Sequence, residues 1–207
     1  MHFPSLFSPA QRQLLDELKA RDLRERQAGS VDPMRMKALR QGVAEFLGMM
    51  VLQTRAQRVA EFGTSAGYST IHLAAAAKHL GGRVYTVDKV PEKTAWARRN
   101  LEAAGLGEVV EFSTGEGVEL AVALPSSIDL VLVDYGIPAF LPALDRVKAK
   151  LRPGGLMFVD GWGAEEEGRW ETDPDYRAFR ENLTADSGFV AWRMVLEEKV
   201  HLLVVKL

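Results

Sequence analysis

The sequence predicts a single α/β domain: a doubly wound, mostly parallel seven-stranded sheet with a C-terminal antiparallel hairpin, preceded by helices. Three observations predict it. Short apolar runs alternate with helical patterns, and strands buried on both faces are what a parallel sheet covered by helices requires. Gly81-Gly82, Gly105 and Gly154-Gly155 stand just past those helical patterns, where the chain needs a left-handed residue to turn back. The β-rich runs 188–196 and 200–207 are joined by only Glu197-Glu198-Lys199, too short for a crossover helix, so they pair antiparallel.

The elements follow in order. Residues 9–27 carry Leu14, Leu15, Leu18 and Leu23 among charges and stop near Gly29, the pattern of an amphipathic helix. Asp32-Pro33 reads as cap and first turn of a second helix through Met36, Leu39, Val43, Phe46, Leu47 and Met50. Strands are expected at 58–62, 83–88, 109–113, 128–134 and 156–160, with helices at 69–80, 91–104, 117–124 and 138–151 between them. Right-handed crossovers then place helices on both faces. Residues 1–55 form a helical appendage and 56–207 the core of one domain, without repeat, low-complexity tract or linker.

A chain of 207 residues, 47% hydrophobic, suffices for one sizeable core. A net charge of −2 and a pI near 6.1 provide no global field for nucleic acid or anionic membrane. The absence of cysteine removes disulfides, thiolate nucleophiles and cysteine-ligated zinc together. No apolar run approaches the roughly 20 residues of a membrane span, and Met1-His2-Phe3-Pro4-Ser5 does not open a leader. The expectation is a cytoplasmic protein whose partner is a small molecule, neither nucleic acid nor membrane, with a homodimer left open as an assembly.

The richest stretch is Val59-Ala60-Glu61-Phe62-Gly63-Thr64-Ser65-Ala66-Gly67-Tyr68-Ser69-Thr70, followed by Asp88 at the end of the next strand. An apolar strand runs into an acid, a glycine turn and an alanine-rich helix, which marks a nucleoside site. Gly63 and Gly67 make a GxxxG turn, lacking the second glycine of the dinucleotide pattern GxGxxG. That disfavours NAD and suits S-adenosylmethionine, a single nucleoside that brings its own cation. Glu61 then serves the methionine amino end, and the turn Gly63, Thr64, Ser65, Gly67 with the helix start at Ser69 receives the carboxylate on free amides. Asp88 takes the ribose hydroxyls. Gly115-Glu116-Gly117 suits the adenine amino group, or else Glu116 merely favours a helix start.

Four acids, Glu61, Asp88, Asp134 and Asp160, fall at carboxyl ends of strands, where open α/β sheets bind ligands. If the strands of Asp134 and Asp160 are neighbours, their backbones lie roughly 4.8 Å apart. Two carboxylates that close share either a magnesium ion or a proton, which leaves one of them suited to general-base work. Either use helps to deprotonate a hydroxyl, with Tyr135 a weaker candidate. Trp162, Trp170, Tyr176 and Phe179 follow Asp160; an aromatic wall is one reading, with Tyr176 and Phe179 as core. Glu165-Glu166-Glu167 reads as a solvated loop, Met34, Met36, Met49 and Met50 as packing, and Arg21, Arg24 and Arg26 as a solvated helix face. His2, His72, His79 and His201 show no metal-ligand spacing, and no GxSxG elbow surrounds Ser69.

From about Pro33 to the terminal hairpin the chain resembles the class I S-adenosylmethionine-dependent methyltransferases, in particular the small O-methyltransferases related to the catechol and caffeoyl-CoA enzymes. The resemblance is carried by residues 61–70, Asp88, Gly115-Glu116, Ile128-Asp129-Leu130-Val131-Leu132-Val133-Asp134, Leu151-Arg152-Pro153-Gly154-Gly155-Leu156 and Val159-Asp160. It implies a Rossmann-like methyltransferase fold, a donor site built from those residues and Asp134, and methyl transfer to a hydroxyl of a small, aromatic acceptor. Two departures stand out. Metal-dependent members have an Asn after the second Asp, where this chain has Gly161, and their Asp-Ala-Asp-Lys run is Asp134-Tyr135-Gly136-Ile137 here. Asp134 and Asp160 remain the candidate magnesium ligands. N-methylation and a non-catalytic nucleoside-binding role stay as alternatives.

Overall fold

The computed structural model describes residues 6–160 and 172–207. Its strands are β1 Arg58–Phe62, β2 Arg83–Asp88, β3 Val110–Thr114, β4 Ile128–Val133, β5 Leu151–Val159, β6 Phe189–Leu196 and β7 Lys199–Lys206. They form one seven-stranded sheet in the order β3-β2-β1-β4-β5-β7-β6. β1 to β5 run parallel, and β7 pairs antiparallel with both β5 and β6. The order reverses between β1 and β4, so the crevice for a ligand opens over their carboxyl ends.

Period-two alternation gives each strand two buried faces. Val59, Val84, Leu130, Leu132 and Phe158 join one apolar cluster, and Ala60, Phe62, Val87, Val131, Val133, Met157 and Val159 the other. On the first face lie α1 Pro9–Gln27, α2 Gln41–Gln53, α3 Tyr68–His79 and α4 Pro91–Ala103; on the second lie α5 Gly117–Ala123, α6 Ile137–Phe140, α7 Leu144–Lys150 and α8 Pro174–Thr184. Glu61 and Thr86 follow the register of Val59 and Val84, so both point under α3.

Four expectations need correction. Asp32 does accept the Met34 amide at 2.8 Å, but the turn ends there and α2 starts only at Gln41. The reason is tertiary: Glu25 of α1 takes the Met36 amide at 2.7 Å and Asp22 the Ala38 amide at 3.0 Å. These bonds hold 36–40 out of the helix, with Lys37 at φ 48°. The helix expected at 138–151 is cut by a 3₁₀ turn at Leu141–Ala143, since Pro142 lacks the amide a continuing helix uses. β5 begins at Leu151 rather than 156, with a register shift opposite Ile128 and Leu130 absorbing Pro153-Gly154-Gly155. The N-terminal part is no appendage in its packing, because Leu15, Leu18, Met36, Leu39, Val43 and Leu47 belong to the same cluster as the sheet.

Tyr176 and Phe179 of α8 are core residues, and Met36 is fully buried while Met49 is exposed. Arg21 lies over the Trp96 ring at 4.0 Å and Arg26 donates to the Ala38 carbonyl, so this basic face of α1 is partly anchored. Trp162, Trp170, Glu165-Glu166-Glu167 and Gly161 lie outside the described residues, as does His2. No described helix is long and apolar enough to cross a membrane.

Candidate functional site

The turn after β1 is a tightly specified piece of backbone. Gly63 has φ 108°, and a Cβ there would sit 2.1 Å from the Asp134 carbonyl oxygen. Gly67 has φ 85°, and its Cβ would press to 2.7 Å from Leu101. Glycine is therefore required at both positions, once by a neighbouring strand end and once by α4. The Gly63 and Thr64 amides donate to the Val87 carbonyl at 3.0 and 3.2 Å, which ties the turn to β2.

Beneath the turn lies a closed hydroxyl network. Glu61 Oε1 accepts from Ser69 Oγ at 2.6 Å, and Oε2 from Thr70 Oγ1 at 2.6 Å and Thr86 Oγ1 at 2.7 Å. Thr64 and Thr86 hydroxyls meet at 2.6 Å. Burial raises the Glu61 carboxyl to about 7, opposed by the three hydroxyl bonds and assisted by Asp88. Glu61 thus braces strand, turn and helix from below, and its oxygens face three hydroxyls rather than the open cleft.

Asp88 closes β2 with both oxygens engaged: Oδ2 accepts the Ser65 amide at 2.8 Å and Oδ1 the Val90 amide at 2.9 Å. Each oxygen keeps a second lone pair for a ligand hydroxyl. On the far side, Gly115 donates its amide to the Asp88 carbonyl at 3.1 Å. The Tyr135 hydroxyl reaches Glu116 Oε2 at 3.3 Å and the Gly115 carbonyl at 3.5 Å. Burial, then the Glu116 charge, pushes that phenol up to about 12. Tyr135 accordingly belongs with Gly115 and Glu116, and the structure does not bring its hydroxyl to the acid pair.

Asp134 and Asp160 do come together. Parallel pairing of Val133 with Val159 sets the two strand ends side by side, and the side chains share a hydrogen bond. Burial, then Asp160, then Glu61 hold the Asp134 carboxyl well above the ordinary carboxylate range, against the pull of Lys199. The backbone fixes both: the Asp134 amide donates to Phe62 O and the Asp160 amide to Val133 O, each at 2.8 Å.

The sequence reading missed His201. It enters from β7, where Leu202 pairs with Val159, and its Nδ1 lies 2.9 Å from Asp160 Oδ1. The ring is fully buried and stacks on Phe158, with centroids 5.1 Å apart. Its Nε2 faces the Leu196 carbonyl at 3.3 Å. Nδ1 lies at ion-pair distance from the carboxylate without the geometry of a hydrogen bond. β-Pairing brings these two distant residues together, and no local motif announces it. Of the other described histidines, His72 packs against Phe7 and Tyr68, and His79 is on the surface.

The donor set fits an adenosyl ligand: a glycine turn, an acid at the end of β2, and a polar turn at Gly115-Glu116. The part of the cleft between the β1–α3 turn and residues 36–39 is closed to about 10 Å³, and the Met36 carbonyl accepts the Ser65 hydroxyl there. Seating a ligand there requires that strap to lift. Magnesium fits less well. Asp134 and Asp160 spend one hydrogen bond on each other, Gly161 has no side chain to offer, and the described residues hold no cluster of three His, Asp or Glu able to ligate a metal.

A methyltransferase domain family matches residues 60–162. Over that segment, just under half of the chain, the sequence is similar to methyltransferases. It is 30% identical over 120 residues to a catechol O-methyltransferase of Niastella koreensis, covering 56% of this chain and 54% of that protein. It is 36% identical over 105 residues to a protein-L-isoaspartate O-methyltransferase of Magnetococcus marinus, covering 51% and 42%. The chain thus spans about half the length of these relatives. Among solved structures it shares the fold of a Bacillus cereus O-methyltransferase determined with SAH, at TM-score 0.75, 24% identity, and coverage of 94% and 91%. The relatives' names put the methyl group on oxygen in chemically different acceptors, so the acceptor must be read from the site.

Proposed function

We propose that this chain moves a methyl group from S-adenosylmethionine to a hydroxyl oxygen of a small, ring-bearing acceptor. One observation carries the reading. Asp134 belongs to both halves of the site: its carbonyl abuts Gly63 of the donor turn, and its carboxyl is bonded to Asp160 on the acceptor side. Donor and acceptor are thereby indexed to one rigid strand end, which favours in-line alignment.

When bound, the donor supplies a methyl group already activated by a sulfonium charge. The chain's own residues hold the parts and manage one proton. Asp88 and the Gly115-Glu116 turn would hold the ribose and adenine ends, and the Gly63–Gly67 turn the methionine end. The Asp134–Asp160 pair accepts the proton that leaves the acceptor hydroxyl as the oxygen lone pair forms the new carbon–oxygen bond. His201 is a positioning residue that holds Asp160 from behind. No step is assigned to a metal.

The test is direct. Purified protein is incubated with methyl-labelled S-adenosylmethionine and a panel of catechols, phenols and amines, with magnesium and with chelator. Label recovered in an aryl methyl ether supports the reading. Label recovered only in amines, or donor binding with no transfer to any member, overturns it.

A further inference from the structure

Resting on the methyl-transfer reading, we propose that Lys93 is the second half of the ribose clamp. Its ammonium donates to an oxygen of the ribose diol whose protons go to Asp88. A ribose hydroxyl is donor and acceptor at once, whereas an ionised carboxylate only accepts. Asp88 therefore serves one side of the diol, and the lone pairs on the other side need a donor.

Lys93 stands on the first turn of α4, on the face that packs against the donor turn. A Cβ at Gly67 would meet Ala97 Cβ at 3.2 Å and Leu101 Cδ2 at 2.7 Å, and the Asn100 side-chain amide donates to the Ala66 carbonyl at 2.8 Å. Lys93, Ala97 and Leu101 are spaced by four and are all buried, so the lysine continues that stripe one turn nearer the helix start. Helical side chains lean toward the N-terminus. The chain enters α4 from Asp88 through Lys89 and Val90, and Asp88 accepts the Val90 amide at 2.9 Å. Lys93 thus leans back toward the strand end that carries the ribose acid.

The lysine is 8% exposed, yet its side chain has neither hydrogen bond nor ion pair among the described residues. Among those residues the sealed nitrogens without a partner are Arg35 Nε and His201 Nδ1, so the Lys93 ammonium stays open to a ligand. Burial lowers its pKa, and the Asp88 charge is the largest influence opposing that; Lys37 and Arg35 repel the ammonium, and Glu25 attracts it from α1. Neither acid closes on it. Glu25 is taken by Arg21 and the Met36 amide, each at 2.7 Å, and Asp88 by the Ser65 and Val90 amides. A buried cation left unpaired is costly, and a hydroxyl seated between Lys93 and Asp88 relieves that cost. Both residues belong to α4 and β2, so lifting the strap at 36–40 leaves the clamp in place.

Calorimetry with S-adenosylhomocysteine and its 2′-deoxy and 3′-deoxy counterparts, on the native protein and on Lys93→Met, tests the proposal. Methionine keeps most of the stem and drops the unpaired charge, so the ligand-free variant is expected to melt no lower than the native protein. S-adenosylhomocysteine should bind the variant roughly tenfold or more weakly, the worth of one hydrogen bond from a charged donor. For the deoxy ligand that lacks the oxygen Lys93 meets, native protein and variant should bind alike within about twofold. An equal loss across all three ligands, an unchanged affinity for S-adenosylhomocysteine, or a lower Tm of the ligand-free variant overturns the proposal, because each gives Lys93 a role apart from the ribose. If S-adenosylhomocysteine does not bind the native protein, the donor reading falls and takes the clamp with it. Binding without coupling to either hydroxyl removes the clamp and leaves the donor reading standing.

Discussion

The two halves of the site are built on opposite principles. On the donor side every group of the Glu61 network has its partner: three hydroxyls on one carboxylate, two amides on Asp88, two more on the Val87 carbonyl. On the acceptor side lie both buried side-chain nitrogens that find no hydrogen-bond partner among the described residues, Arg35 Nε and His201 Nδ1. A satisfied network is stiff, and an unsatisfied buried donor costs about 1–3 kcal/mol. The side of the cleft at the β1–α3 turn is therefore the more completely hydrogen-bonded of the two. That is the arrangement expected when one substrate is common to a family and the other is particular to its member.

The contrast can be broken from either side. The largest effect is expected at the acid pair: Asp160→Asn should lower kcat by ~10²–10⁴-fold through lost proton transfer, with S-adenosylhomocysteine affinity unchanged within about twofold by calorimetry. A parallel loss of donor affinity would mean that the halves are not separable. Gly63→Ala attacks the seat, since its Cβ would fall 2.1 Å from the Asp134 carbonyl at a φ of 108°. About 3 kcal/mol or more of stability should go, together with donor binding, as read by thermal denaturation and titration.

Glu61 gives a pH signature. Its carboxyl is raised from 4.5 to about 7, so the folded state binds the proton more tightly than the unfolded chain does. The stability this adds is fully present below about pH 4.5 and is lost as pH rises through 7. The shift corresponds to about 3 kcal/mol. Glu61→Gln should flatten the decline in Tm between those pH values; an unchanged slope would show that burial does not hold the proton. The smallest effect is at the strap. Ser65→Ala removes the hydroxyl bond to the Met36 carbonyl, worth about 0.5–1.5 kcal/mol, and should speed donor association in stopped-flow measurements.

The same contrast explains what was legible in the sequence. The donor half is local: strand, glycine turn and helix are contiguous, so Gly63, Gly67 and the ends of β1 and β2 could be placed from spacing alone. Asp134 and Asp160 were visible as strand-terminal acids because parallel strands end together. The acceptor wall is not local. His201 reaches Asp160 only through the β5–β7 pairing, Arg40 meets Glu197 across most of the chain, and residues 36–40 take their shape from Asp22 and Glu25 on α1. The cap at Asp32 was real, yet two side-chain bonds from another helix outweighed the propensity to continue. Tyr135 was ambiguous for a related reason: its neighbour in sequence is Asp134, but its hydroxyl points to Glu116.

The proposed mechanism depends on an adenosyl seat formed by the β1–α3 turn and the acid ending β2. Calorimetric titration of the intact chain and of Asp88→Ala with S-adenosylhomocysteine, alongside NAD, tests it most directly. Saturable binding to the native protein, weakened roughly tenfold or more when the ribose acceptor is removed, with no response to NAD, is the predicted result. No heat with S-adenosylhomocysteine, or saturation by NAD instead, would contradict it.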